Sequence, residues 1–490
     1  MPDRHVVTLD LGTQKTRLCV AKIESKDIRV LSYKELPSAG VRESRVLNIM
    51  KVSEVVRQLI ESTERELGVK ISQIVVGAPK YPITTVDASA VLDRTNPNEY
   101  ISEEEVNILK DNAKPDIEDS KKKVYDTIVQ SFTADNLIQQ SEDDIIGAIS
   151  STIQGNYKLF IGDLGPYSNI DRVLDQVNLF ASEKVFVPHS TAEAVLSEEE
   201  KSNGVGLIEL GAGCSTVTIY HGGALRYFKS IAFGGSDITS DIKTEYGLSE
   251  KLAENIKLGY GACMPNKLHT MEEKILRIED ESMGTCDDIA VSKLSEVIHS
   301  RMEEILNALF YCIKESGFAH RIRNGLVIIG GGAEIANLRS MIKDKVGCNV
   351  RIGYPRVRHF NADEFPEMGK IEALTTIGLL LEAKNKSYNC ISDKTTDAAT
   401  SEAGADAETI TTPQTPEVLQ GDSSAAEYEG TVFGGRGADG EEIKNKDNEK
   451  KKTRSEPRTK PKIKWQLPHS IEKIGDAIGS LFDSMNEENE

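Results

Sequence analysis

Asp10-Leu11-Gly12 and Glu209-Leu210-Gly211 each put a carboxylate at the end of an apolar run and a glycine two residues later. The first lies in VVTLDLGTQKTRLCVAK (Val6 to Lys22), the second in VGLIELGAGCSTVTIY (Val205 to Tyr220). Asp10 thus pairs with Glu209, Gly12 with Gly211 and Thr16 with Ser215. Each copy predicts a strand, a tight turn and a second strand. Glycines such as Gly211 and Gly213 accept backbone angles that a side chain forbids, so turn amides can converge on an anion, and a phosphate is the expected occupant. Carboxylates at Asp10 and Glu209 suit a hydrated Mg²⁺, which keeps several waters and takes one or two carboxylates. A third turn, Gly330-Gly331-Gly332, follows an apolar strand in GLVIIGGGAEIANL (Gly325 to Leu338) and opens a helix. A single glycine after a strand signals only a turn. Three in this order predict two jaws on a triphosphate with the third behind an adenosine, so the expected ligands are ATP and Mg²⁺.

Two copies about one domain length apart predict a duplicated α/β fold with its ligand between the halves. Residues 1–78 begin the first half. Strands are expected at Val6 to Asp10, Thr16 to Glu24 and Ile28 to Glu35, then a helix from Ser53 with Val55, Val56, Leu59, Ile60, Thr63 and Leu67 on its apolar face, then a strand at Gln73 to Val76. The acidic, amide-rich stretch 79–154 breaks the pattern and predicts an inserted small α+β subdomain with strands at Val124 to Phe132 and Ile145 to Ile153. Residues 155–202 return to the first half, with a helix at Ser168 to Ala181, a strand at Val185 to Pro188 and a helix capped by Ser190. Residues 203–385 form the second half. There Ala224 to Ile231 reads as a strand, Ser236 and Ser249 as helix starts, Met271 to Asp288 as irregular, Val291 to Ser316 as a long helix and Ala373 to Lys384 as the closing helix.

The net charge of −19 argues against non-specific nucleic-acid binding, which needs clustered Lys and Arg. Seven cysteines without a CxxC pair predict reduced thiols rather than a disulfide framework. The N-terminus lacks the basic start and apolar core of a signal peptide, and no run approaches the roughly 20 apolar residues of a membrane span, so any membrane contact is expected to be peripheral. Residues 386–449, rich in Thr, Ala, Ser, Asp, Glu and Gly, predict a disordered linker. In 450–490 the charge reverses sign: eight Lys and Arg lie between Lys450 and Lys464, Trp465 ends the run, and a helix capped by Ser470 carries Ile471, Ile474, Ile478, Leu481, Phe482 and Met485 in one stripe. Cations near anionic lipid add about 1 kcal/mol each and Trp465 suits the interface, so this helix is expected to lie on an anionic membrane surface. One such helix binds weakly, and several on one polymer bind well.

The motifs DLGT with Lys15, ELGAGCS and VIIGGGAEI resemble the phosphate and adenosine motifs of the superfamily of actin, heat-shock chaperones and hexokinase. GGALRYFKSIAFGGSDITSDI (Gly222 to Ile242), AENIKLGYG (Ala253 to Gly261) and GCNVRIGYP (Gly347 to Pro355) resemble, more narrowly, the FtsA family of bacterial cell-division proteins, over Val6 to about Lys384 and again at the C-terminal helix. The resemblance implies a duplicated actin-like, ribonuclease H-like α/β fold with two inserted small subdomains. It implies that Gly12, Thr13 and Lys15 touch phosphates from one side and Gly211, Ala212, Gly213, Cys214 and Ser215 from the other. Gly235, Glu254 and Lys257 would face the ribose or base, and Gly330, Gly331, Gly332 and Ala333 the adenosine. It further implies polymerisation of the chain with itself, contacts with other division proteins through the insert, and attachment of filaments of the tubulin-like FtsZ to the cytoplasmic face of the inner membrane at the division site. The segment EVIHSRMEEIL then offers Arg301, with Lys293, to the acidic FtsZ tail. The family usually has Asp where this chain has Glu209 and Gly where it has Ala212, so nucleotide binding with slow or no turnover is expected. A sugar-kinase-like phosphotransferase or a chaperone of the same superfamily is the alternative; the first needs a catalytic base and sugar pocket, the second a peptide-binding domain after residue 384.

Overall fold

Arg4–Leu11 turns back into Lys15–Glu24, with Leu11 opposite Thr16, and lies parallel to Gln73–Gly77 on its other side. This computed structural model describes residues 4–24, 27–115, 121–135, 137–139, 142–268, 274–280, 285–356 and 360–393. The first sheet runs Phe180–Val185, Gln73–Gly77, Arg4–Leu11, Lys15–Glu24, Asp27–Pro37, with Phe360–Asn361 added at the edge. The second runs Val350–Ile352, Leu326–Ile329, Val205–Leu210, Ser215–His221, Ala224–Ile231, with Leu210 opposite Ser215. In each sheet two parallel strands precede the hairpin and a third antiparallel strand follows it. The duplication read from Asp10 and Glu209 is therefore a duplication of topology, and the fold is the actin-like one expected from the sequence.

The halves meet where helices Val187–Val195 and Leu374–Lys384 cross. Ala192, Ala194, Ile377 and Leu380 are buried there with Val205, Leu207 and Ala21 of the two sheets. Gly378 makes the crossing possible, because a Cβ on it would come within 2.6 Å of the Ser190 carbonyl group. Burial of apolar surface, worth about 25 cal/mol per Å², links the halves along this seam.

Several elements differ from expectation for local reasons. The first long helix spans Ile49–Leu67, four residues earlier than the Ser53 start, because the Asn48 side chain accepts from the Lys51 amide. Ser53 instead sits inside the helix, its hydroxyl donating to the Ile49 carbonyl. The expected strand at Ile145 to Ile153 is a short helix, Glu142–Ile145, followed by a turn and the start of strand Thr152–Asp163. That strand carries the insert nine residues beyond the expected boundary at 154. It lies in a four-stranded antiparallel sheet in the order Leu137–Gln139, Lys122–Ala134, Thr152–Asp163, Ile83–Asp93. Ile101, Leu109, Phe132, Ile153 and Tyr157 form its separate core. Ser168 to Ala181 is helix Leu164–Asp175 and then strand, and Pro188 opens a helix rather than ending a strand, as its preset φ favours. The cap expected at Ser190 lies instead at Ser197, whose box with Glu200 starts Glu198–Asn203. Met271 to Asp288 contains a regular hairpin, Ile275–Asp280 with Thr285–Ala290.

The fold also continues past Lys386. Ile391–Asp393 pairs antiparallel with Val69–Ile71, the Cys390 amide donates to the His5 carbonyl, and Arg4 donates to the carbonyls of Ala383 and Lys384. The remainder of the expected linker and the helix with Trp465, Ile471, Ile474, Ile478, Leu481, Phe482 and Met485 lie outside the described residues. No described helix is long and apolar enough to cross a membrane. Cys19, Cys214, Cys263, Cys312, Cys348 and Cys390 are buried and free.

Candidate functional site in the cleft between the halves

The two hairpins point their turns into one cleft. A Cβ at Gly12 would lie 2.6 Å from the Lys15 carbonyl oxygen, and a Cβ at Gly211 would lie 2.6 Å from that of Cys214. The two turns thus share one geometry, and glycine is needed in both for room. Neither has a positive φ, nor does Gly213, so the expectation that these positions need forbidden angles is corrected. Gly213 leaves room for the first half, because a Cβ there would lie 2.7 Å from Thr13 Oγ1 and 2.9 Å from the Glu43 amide nitrogen. Gly330 does take a left-handed angle, φ +84°, and a Cβ on it would lie 2.5 Å from the Leu210 carbonyl oxygen. Among the described residues no backbone acceptor engages the amides of Thr13, Gln14, Ala212 or Gly213. Donors left unpaired in a turn are what an anion requires.

These turns line a cavity of about 350 Å³. Of the residues singled out from sequence, Asp10, Gly12, Thr13, Lys15, Glu209, Gly211 to Cys214, Gly235, Glu254, Lys257 and Gly330 to Gly332 all border it. Ser215 and Ala333 do not. Ser215 is fully buried and donates to the Phe233 carbonyl, and Ala333 is buried with its amide on the Gly330 carbonyl. Their part is to hold the turns.

One wall carries paired charges. Lys80 Nζ lies 2.5 Å from Glu209 Oε1, and Arg17 Nη1 lies 3.1 Å from Asp10 Oδ2. Burial opposes the charge on Lys80, but the Glu209 carboxylate outweighs it and holds the ammonium above the ordinary lysine range. Lys15 and Arg17 also share Glu35, at 2.5 and 3.3 Å. Burial works against the Glu35 carboxylate, yet these two cations hold it below its usual value. At the other end Glu254 takes Lys257 at 2.7 Å and Gln14 Nε2 at 2.9 Å, while Lys257 also donates to the Gly235 carbonyl at 2.9 Å. Burial raises the Cys214 thiol to about 11, so it is a neutral wall of the cavity rather than a nucleophile.

Asp10 and Glu209 each keep one carboxylate oxygen free of any described partner, Oδ1 and Oε2. No three His, Cys, Asp or Glu among the described residues gather into a direct metal site. The donor set therefore fits a cation held through water on a phosphate ligand, and does not fit one held by the protein alone.

The matching model of the cell division protein FtsA covers residues 206–375, which include the second acid-x-Gly hairpin, Glu254, Lys257 and the Gly330 turn. Over that stretch the chain resembles the FtsA family. Curated FtsA proteins align over both halves: that of Neisseria meningitidis is 25% identical over 72% of this chain and 84% of its own length, that of Escherichia coli 25% over 71% and 84%, and that of Bacillus subtilis 23% over 71% and 78%. Among solved structures, the PilM-PilN type IV pilus biogenesis complex shares the fold, with a TM-score of 0.55 and 13% identity over 78% of this chain and 99% of that one.

The cavity also contains Gln14, Arg17, Ser44, Lys80, Ser236 and Glu334, which the motifs did not single out. Lys80 had a legible signal: it follows the apolar strand Gln73–Gly77 at Gly77-Ala78-Pro79-Lys80, and that strand lies beside Arg4–Leu11. Arg17 was hidden as an alternate residue of a strand. Arg301 and Lys293 lie away from the cleft on helix Val291–Glu315. Arg301 grips Asp241 with Nε and Nη2 at 2.6 and 3.0 Å, and Lys293 pairs with Glu296 at 2.8 Å.

Proposed function

We propose that this chain binds ATP in the cleft, polymerises, and tethers FtsZ filaments to the cytoplasmic membrane during septum assembly. The observation that carries the nucleotide reading is the meeting of two equivalent hairpin turns, with unpaired amides, at Gly213 and Thr13. Gly12, Thr13 and Lys15 would hold phosphate from one half and Gly211 to Cys214 from the other, with Lys80 and Arg17 supplying positive charge. Asp10 and Glu209 would hold a hydrated Mg²⁺ through water, which would neutralise phosphate charge. Glu254, Lys257 and Gly235 would take the ribose or base, and the Gly330 to Gly332 turn would support the adenosine. The ligand then acts chiefly as a clamp between the halves, and no residue of the cleft is assigned as a catalytic base.

Support for the remaining links comes from the resemblance to the FtsA family and from sequence. The basic stretch ending at Trp465, with the apolar stripe from Ile471 to Met485, would be the anchor at an anionic lipid surface. Arg301 would receive the acidic FtsZ tail, and the insert would contact other division proteins. Purified full-length chain should show an ATP-dependent rise in thermal stability, worth about 2.7 kcal/mol at a hundredfold excess over Kd. Removal of residues 462–490 should abolish co-sedimentation with anionic vesicles. No thermal shift would refute the nucleotide reading, and persistent vesicle binding the anchor.

A further inference from the structure

Between the third strand of the first sheet and helix Ile49–Leu67 the chain makes a small hairpin, in which Val41–Arg42 pairs with Arg45–Val46. Its two-residue turn is Glu43-Ser44, at φ +50° and +63°. Two left-handed residues in succession match the twist of paired strands, and Asn-Gly makes such a turn at least cost. The other non-glycine residues at positive φ among those described are Asp135, Asn178 and Asn337, types that tolerate the angle. Glu43 and Ser44 tolerate it less well, so contacts of the tip must hold them there.

Those contacts lie in the cleft. The Ser44 amide donates to Thr13 Oγ1 at 3.3 Å, and Ser44 Oγ accepts from the Lys80 amide at 3.1 Å. On the other side the Glu43 amide nitrogen faces Gly213, where a Cβ would come within 2.9 Å of it. The tip thus meets the first phosphate turn, the loop that carries Lys80 and the second phosphate turn at one point. Ser44 and Val46 both border the cavity. The base of the hairpin is fixed separately: the Gly40 carbonyl accepts from the Leu47 and Asn48 amides, at 2.9 and 3.1 Å, and the Val46 carbonyl accepts from Asn169 Nδ2 at 2.9 Å.

Two polar groups of the hairpin are left unused. A hydroxyl can donate once as well as accept. Ser44 Oγ accepts from Lys80, and among the described residues no acceptor takes its proton. Arg45 grips the Glu43 carboxylate and lies 5.4 Å from the centre of the Tyr81 ring, yet its Nε is buried without a partner. After burial, the charges acting on the Cys214 thiol are those of Lys80, Glu209, Glu43 and Arg45, which sets the hairpin's ion pair against the turn of the second half. Lys15, Arg17 and Lys80 differ from it in already holding Glu35, Asp10 and Glu209.

We propose that Ser44 reads the terminal phosphate of the bound nucleoside triphosphate: its hydroxyl donates to that phosphate, and the strained tip stays closed on both turns with a triphosphate and loosens with a diphosphate. The inference rests on the nucleotide site proposed above and adds a third arm to it. With the adenosine at Gly330 to Gly332 and at Glu254 in the second half, the far end of the ligand faces this first-half hairpin. Loss of the terminal phosphate removes one of the few contacts that offset the left-handed pair, so the tip relaxes.

The test titrates the full-length parent, S44A and S44G with ATP, a non-hydrolysable ATP analogue and ADP, each with Mg²⁺, by calorimetry. Both variants lose the hydroxyl, but glycine accepts the left-handed angle, so ligand-free S44G should melt above S44A and serves as the folded control. The parent should bind the triphosphates more tightly than ADP. Each variant should lose about tenfold in triphosphate affinity and stay within about twofold for ADP, as expected for one hydrogen bond to a charged acceptor. Limited trypsin digestion supplies a second readout, because the Arg42 side chain is 75% exposed. Cleavage after Arg42 should be at least threefold slower with the analogue than with ADP in the parent, and equally fast with both in S44G. If S44G keeps the parent's triphosphate affinity, or loses ATP and ADP alike, Ser44 only braces Thr13 and Lys80 and the proposal is overturned while the nucleotide site stands. A parent that binds ATP and ADP equally well overturns it in the same way. If the parent binds neither, the nucleotide reading fails and the third arm with it.

Discussion

Lys80 Nζ and Glu209 Oε1, 2.5 Å apart, join the end of a first-half strand to the end of a second-half strand across the floor of the cleft. Gln14 and Glu254 repeat the connection nearer the rim, at 2.9 Å. Lys80→Met would leave Glu209 without its counter-charge in a largely buried position, and should cost about 2 kcal/mol in urea unfolding. Glu209→Gln should cost less, because a neutral amide still accepts from Lys80. The double variant should be less damaged than the two losses added, as expected for groups in contact. The variants should separate on ligand when Mg²⁺ is left out: Lys80→Met should reduce the ATP-dependent thermal shift, while Glu209→Gln frees Lys80 for phosphate and should leave it at least as large. Additive losses in urea would mean that the pair does not couple the halves.

Gly330 and Gly331 are neighbours with opposite constraints. Gly330 has φ +84° and no space for a Cβ beside Leu210, whereas a Cβ on Gly331 would meet nothing within 4 Å. Gly330→Ala should therefore destabilise the chain by about 2 kcal/mol and displace the adenosine turn, since it combines backbone strain with a backbone clash. Gly331→Ala should be within about 0.5 kcal/mol of the parent. Equal melting temperatures for the two variants would contradict the geometry of this turn.

The cleft was legible because its residues come from two copies of one pattern: an acid, a glycine and a hydroxyl at fixed spacing survive in both hairpins, and the chain folds both the same way. Lys80 and Arg17 were harder to see, because their function depends on which strand lies beside Arg4–Leu11, and sequence order does not state sheet order. The same limit explains the insert. Ile145 to Ile153 has strand-like composition, but Ile145 and Ile153 are buried from different elements, one ending a helical turn and the other in the sheet. The strand at Ile391–Asp393 is three residues long and exists only because Val69–Ile71 offers it an edge, so no local signal announces it. Helix starts were misplaced where Ser53 and Ser190 competed with Asn48 and Ser197 for the capping role.

Acid should loosen the cleft before it loosens the seam of apolar helices behind it. Burial works against the Glu254 carboxylate, but Lys257, Thr239 and Gln14 outweigh it and lower its proton affinity in the fold. A carboxylate depressed in this way contributes stability that is present above its unfolded value, roughly 4.3, and lost as pH falls through the folded value. Melting temperature should therefore drop between about pH 5 and 3, and Glu254→Gln should make that limb shallower while lowering the plateau at neutral pH. Glu35 shifts in the same direction but is more exposed, so Glu35→Gln should have the smaller effect. A limb of unchanged steepness in Glu254→Gln would assign the acid sensitivity to other groups.

Arg301 bears on the proposed FtsZ contact in a way that its position in the sequence conceals. Its guanidinium already holds Asp241 through two bonds and Glu304 through a third at 2.8 Å, tying helix Gly235–Tyr246 to Val291–Glu315. An incoming tail carboxylate must compete with Asp241 for the same donors. Asp241→Asn weakens the internal acceptor and should raise affinity for an acidic FtsZ tail peptide several-fold. Arg301→Glu should lower it at least tenfold, because the new carboxylate then joins Asp241 and Glu304 in facing the tail and a bidentate donor is lost. Lys293 is an exposed partner of Glu296, so Lys293→Glu should lower affinity only a few-fold, and chiefly at low salt. Fluorescence anisotropy with a labelled tail peptide measures all three, and thermal melts separate loss of binding from loss of the helix tie. Parent-like affinity in both Asp241→Asn and Arg301→Glu would place the tail on another surface.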